Sequence, residues 1–178
     1  MTKINNDMTS QALETQFIAV CRKMQSNFQD ALALSRKLEK VLETAHVTML
    51  NRDMPNLEKC LAQQMKLLNL LQVNGALREH CLSQIDCSAD RAGIMAFFSQ
   101  AREKLSSIVD TAGNYSTMHQ FWLQLEDVAT RCQQLNHANG RLLARLAANT
   151  RKMCNLVMTG QAGMTYDKTG LMVSPLDE

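Results

Sequence analysis

The sequence predicts an all-α protein: a long antiparallel helical hairpin plus further helices forming an elongated bundle or coiled coil, followed by a non-helical C-terminal tail. Three observations point there. The apolar content comes mostly from Leu, Ala and Met, with aromatics at 4% and only Pro55 and Pro175 as prolines. Unbranched side chains lose little rotamer freedom in a helix, whereas β-branched and aromatic ones favour strands. Apolar residues also recur in alternating steps of four and three, the spacing of one helix face. Helix-hostile residues gather at the end, where "GQAGMTYDKTGLMVSPLDE" holds three glycines and a proline.

The first helix is predicted from about Ser10 to Asn51, roughly 60 Å long at about 1.5 Å per residue. Phe17, Cys21, Met24, Phe28, Ala31, Ser35, Leu38, Leu42, Ala45 and Met49 form its stripe, widened by Leu32, Leu34 and Val41. "NRDMPNLEK" then breaks it, with Asp53 as a cap and Pro55 in the first turn of a second helix. That helix carries Leu57, Cys60, Leu61, Leu68, Leu71, Leu77, Cys81 and Ile85, and its Asn74-Gly75 pair is a candidate kink or split. So short a link makes the two helices antiparallel neighbours, a hairpin over about 10–86. Ser88 is the expected cap of a third helix over about 88–112, bearing Phe97, Phe98, Ala101, Leu105, Ile108 and Val109; "TAGNYST" reads as the next loop.

The last helix, about 117–159, is the most regular. Its seam runs Met118, Phe121, Leu125, Val128, Cys132, Leu135, Asn139, Leu142, Leu146, Asn149, Met153 and Val157. Asparagines in a seam either set register and partner choice or mark an incompletely covered groove, and Asn149 is also compatible with fraying near the helix end. No acidic residue occurs from Val128 through Tyr166, whereas Arg131, Arg141, Arg145 and Lys152 each precede a seam position by one. That basic flank either pairs with the protein's own carboxylates or suits an amphipathic helix with acidic edges. The helical domain is therefore expected over 1–159 and a flexible tail over 160–178.

Composition argues against several functions. A net charge of +2 does not by itself imply nucleic acid or membrane, and the arginine flank lacks stacking aromatics. "MTKINNDMTSQALETQ" has no apolar signal core, and no stretch approaches the roughly 20 apolar residues of a membrane span. A soluble protein outside the general export route is expected. The six cysteines never form C-x-x-C and read as small hydrophobes on helix faces, which suggests the reducing cytoplasm and neither metal nor disulfides. Phosphate-loop, nucleophile-elbow and zinc-protease motifs are missing. Glu43 and His46 spell one Glu-x-x-His, but a di-iron bundle needs a second pair and two more glutamates. His46, His80, His119 and His137 lack the surroundings of a phosphotransfer histidine. No catalytic residue, cofactor or metal is expected. Twelve methionines fill cores or provide an adaptable binding surface.

Three stretches resemble the FlgN-type chaperones that serve the hook-associated (hook-filament junction) proteins of the bacterial flagellum. In "LSRKLEKVLETAHVTMLNRDMPNLEKCLAQQMKLLNLL", Leu38, Leu42, Glu43, Arg52-Asp53, Leu57, Lys66, Leu67 and Leu68 fall in the family's order, followed by Arg78. "LNHANGRLLARL" places Asn136 and Asn139 before Leu142-Leu143, and "TYDKTG" matches with Tyr166 and Gly170. The resemblance implies a non-enzymatic cytoplasmic chaperone. It would bind the C-terminal helical segments of unassembled hook-associated proteins, prevent premature assembly and escort them to the flagellar type III export apparatus. The family's client site lies toward the C-terminus, which here implies Leu135, Asn136, Asn139, Leu142, Leu143, Leu146, Arg141, Arg145, Met153, Tyr166, Gly170 and Leu171. A tail that is apolar but cannot continue the helix would order on the client. A weak homodimer is compatible with this reading; nucleic acid and a membrane span are not expected. The alternative is a structural coiled-coil adaptor or dimerisation scaffold with no client.

Overall fold

Helix α1 spans Thr2–Leu50, beginning before the expected Ser10. The computed structural model describes residues 2–105 and 112–159 and the strand residues 165–166 and 172–173, with side chains described over 15–104 and 115–158. Every residue of the expected α1 stripe from Phe17 to Met49 is buried, as the periodicity requires. The helix ends in a Schellman motif: the Asp53 N–H donates to the Thr48 carbonyl at 2.9 Å and the Arg52 N–H to that of Met49 at 3.2 Å. Arg52 takes the left-handed position, φ 55°, that glycine ordinarily fills.

Helix α2, Met54–Ser83, starts as the sequence predicts, with Asp53 Oδ1 accepting from the Asn56 N–H at 3.3 Å and Pro55 in the first turn. It packs along α1 and runs unbroken through Asn74-Gly75. The reason lies across the hairpin. Asn27 Nδ2 donates to the Asn74 carbonyl at 2.8 Å and Asn74 Nδ2 to the Asn27 carbonyl at 3.2 Å, so the buried asparagine that reads as a turn former is held by tertiary bonds instead. One expectation is corrected: Leu61, Leu68 and Leu77 are exposed, and Leu67 and Leu82 hold the buried face with Leu57, Cys60 and Cys81. α2 is apolar on more than one side, so its leucines do not reveal which side faces α1.

A second Schellman motif ends α2. The Cys87 N–H donates to Leu82 at 3.0 Å and the Asp86 N–H to Ser83 at 3.4 Å, with Asp86 at φ 54°. Helix α3, Arg91–Leu105, is capped by Asp90 rather than the expected Ser88. Asp90 Oδ1 accepts from the Gly93 N–H at 2.8 Å, and the Ser88 hydroxyl donates to the same oxygen at 2.6 Å. Those bonds, the serine's foremost, hold the Asp90 carboxyl below the usual carboxylate range. Gly93 is required here, because a Cβ would stand 1.9 Å from the Ser88 carbonyl oxygen. Phe97, Phe98 and Ala101 are buried as expected, while Ile108, Val109 and the side chain of Leu105 lie outside the described residues.

Helix α4 spans Ala112–Thr159, so most of the "TAGNYST" read as a loop is its first turns. Tyr115 packs edge-on to Phe98 at 6.2 Å and stacks with His119 at 5.9 Å, an aromatic anchorage that outweighs the weak helix propensity of Gly, Asn, Ser and Thr.

Two compact units divide the chain, Met1–Asn136 and His137–Glu178. In the first, α1, α2, α3 and the N-terminal part of α4 enclose a core in which Val20, Met24, Phe28, Leu82, Phe97 and Met118 are almost wholly buried. Phe28 sits at its centre, 5.9 Å from the Phe98 ring and 5.3 Å from Trp122. The second unit holds the rest of α4 and two short antiparallel strands, β1 (Thr165–Tyr166) and β2 (Met172–Val173), in which Thr165 pairs with Val173 and Tyr166 with Met172. The division expected after residue 159 corresponds to the end of α4 inside this unit.

The open face of helix α4

The seam of α4 changes character along its length. Met118, Leu125, Val128, Cys132 and Asn139 are buried, Leu135, Leu142 and Leu146 are half-buried, and Met153 and Val157 are 63% and 82% exposed. Leu143, Leu156 and Met158 add apolar surface to the same C-terminal stretch. Asn149 is exposed but lies well inside the helix, so it marks an open seam and not a frayed end. Asn139 is a buried polar position, and Asn136 is exposed, its Oδ1 accepting from Gln64 Nε2 at 3.4 Å.

The basic flank divides in the same way. Arg131 donates to Glu39 at 2.5 Å and also to Asp127, two bonds that hold its guanidinium more firmly protonated than usual. It belongs to the fold of the first unit. Arg141, Arg145, Arg151 and Lys152 are exposed and make no ion pair among the described residues. Of the residues singled out from the sequence, Leu142, Leu143, Leu146, Arg141, Arg145 and Met153 thus share the open stretch of one helix. Leu135 and Asn136 belong to the first unit, Tyr166 is a β1 residue, and Gly170 and Leu171 lie outside the described residues. The helical periodicity already contained Val157; Leu156 and Met158 are visible only as exposed surface.

Among the described residues no group of three or more His, Cys, Asp or Glu could hold a metal ion, and no helix is long and apolar enough to cross a membrane. Cys21, Cys87 and Cys132 all have thiol pKa values raised chiefly by burial, Cys21 to about 11, the reverse of a reactive thiol. Cys132 instead donates to the Ser35 carbonyl at 3.5 Å, and Cys154 alone among the six is exposed.

Fold and face together define a predominantly helical protein with a cation-bordered, exposed apolar stretch on its last helix. A family model described as FlgN protein matches residues 22–174, from α1 to beyond β2. The chain belongs to the FlgN family, a family of flagellar export chaperones that bind flagellar proteins. No curated protein and no solved structure matches it.

Proposed function

We propose that the protein is a type III export chaperone of flagellum assembly that captures the C-terminal helical segments of hook-associated proteins on the open seam of α4. It keeps them from premature assembly and escorts them to the export apparatus. The observation that carries this reading is the growing exposure of the seam beyond Asn139, where Leu142 and Leu146 are half-buried and Met153 and Val157, which continue the same helix-packing pattern, are exposed. An isolated assembly segment is amphipathic and lacks its partners, so it docks by laying its apolar face on such a surface. Arg141, Arg145, Arg151 and Lys152 favour a client with acidic edges and speed its capture at low salt. Tyr166, Gly170 and Leu171 complete the proposed client-binding set.

Co-expression with hook-associated proteins, followed by size-exclusion chromatography with light scattering, tests this. The full chain is expected to give a stable complex, Leu142→Asp with Leu146→Asp to abolish it with only a small change in melting temperature, and a chain ending at Thr159 to weaken it. A complex indifferent to the α4 substitutions places the client elsewhere. No complex with any hook-associated protein leaves a structural adaptor as the better reading.

A further inference from the structure

From Ala147 to Met158 every residue of α4 is exposed, so this stretch of helix has no buried side. Helices in proteins are held chiefly by the packing of an apolar face, and here such a face is present but uncovered. At about 100° per residue, the exposed Leu143, Met153, Leu156, Val157 and Met158 span roughly half of the helix circumference. Arg141, Arg145 and Lys152 form a row along the Leu156 edge of this arc, and Arg151 stands at the other edge, two turns before Met158. No acidic residue occurs from Val128 through Tyr166. The helix is therefore apolar over a wide arc, cationic at both edges and free of acid. A stripe that faces a packed neighbour is about 100° wide, so one partner helix leaves part of this arc in water. An anionic lipid surface covers the whole arc and offers phosphates to both edges at once.

We infer that the C-terminal half of α4 lies flat on an anionic membrane surface, with Leu143, Met153 and Val157 sunk to the headgroup boundary and Arg141, Arg145, Arg151 and Lys152 on the lipid phosphates. The long cationic side chains reach past their apolar neighbours to the headgroups, as such side chains do at an interface. No described helix is apolar enough to span a bilayer, so the attachment is superficial and reversible. Because α4 is already helical in the free chain, binding carries no folding cost, and each cation strengthens it by about fivefold. The inference goes beyond the client reading and shares with it only the exposed apolar residues of α4. Client and membrane therefore exclude one another, and the unloaded chain is the form held at the membrane.

Flotation of the full chain with vesicles tests it, with phosphatidylcholine mixed with phosphatidylglycerol compared against phosphatidylcholine alone. Binding to the anionic vesicles only, weakening as salt rises, is expected. Arg145→Gln with Lys152→Gln should lower the affinity by about tenfold or more. Met153→Asp with Val157→Asp, at positions 63% and 82% exposed, should abolish flotation and leave the melting temperature unchanged. Thiol labelling of Cys154, which is exposed and lies within the arc, should slow on anionic vesicles and not on neutral ones. A chain that never floats with anionic vesicles, floats equally with neutral ones, or ignores both pairs of substitutions overturns the inference. A peptide of a hook-associated protein's C-terminal segment separates it from the client reading. Flotation of a chain that takes up no such peptide defeats only the client reading, whereas peptide binding by a chain that never floats defeats only the membrane inference. Peptide that stays bound to the floating chain overturns their mutual exclusion.

Discussion

Arg52 and Asp86 both occupy the left-handed backbone region at the end of a helix, φ 55° and 54°, where a Cβ is crowded and glycine is at ease. Asp86→Gly is therefore expected to stabilise the protein by about 0.5–1 kcal/mol in urea titration, the lost strain outweighing the extra freedom of the unfolded chain. Cys21 offers a pH test. Burial raises its pKa from 9.0 to about 11, against a smaller opposing effect of Lys104, so the fold favours the neutral thiol. Its contribution is intact below pH 9 and lost as pH rises through about 11. Cys21→Ala should flatten the alkaline limb of a stability profile measured over that window and leave its shape at neutral pH unchanged.

At the scale of elements, α4 is one continuous helix with two kinds of surface. Its N-terminal half is fixed by Phe28 against Trp122, Glu39 against Arg131 and Ser35 against Cys132; its C-terminal half presents Met153, Leu156, Val157 and Met158 to solvent. Thiol labelling reads this directly. Cys154 should react at the rate of a free thiol while the five buried cysteines stay protected until denaturant is added. Addition of a client segment should slow labelling of Cys154, since it lies one residue from seam position Met153. The periodicity of α4 made its seam legible, but the same rhythm continues from Met118 to Val157 and carries no sign of where burial stops. The start of α4 was not legible, because Gly113, Asn114 and Ser116 are turn formers that only the packing of Tyr115 on Phe98 and His119 overrides.

For the molecule as a whole, the buried four-helix core and the exposed apolar seam of α4 lie on different stretches of chain. Phe28 contributes to a core shared by four helices, so Phe28→Ala should cost about 3–5 kcal/mol through lost burial and the cavity left behind. Leu146→Asp, on the half-buried seam, should change the melting temperature much less and act on client binding instead. Calorimetry of the two variants beside a client pull-down checks this contrast. Binding that weakens as salt rises, and less steeply in Arg145→Gln, would show that the exposed cations of α4 are used in capture.

By itself the sequence determined that the protein is helical, where α1 ends and α2 begins, which stripe of α1 is buried and which rhythm α4 follows. These are local matters, set by side-chain periodicity and by the capping chemistry of Asp53 and Pro55. The FlgN resemblance was likewise legible, because it rests on the order of residues along the chain. Only the tertiary structure decided that Leu61 and Leu68 face outward while Leu67 faces α1, that Asp90 and not Ser88 caps α3, and that the α4 seam opens beyond Asn139. The physical reason is the same in each case. An apolar or polar side chain carries its preference with it, but whether another element arrives to cover or bond it is a property of the packed fold.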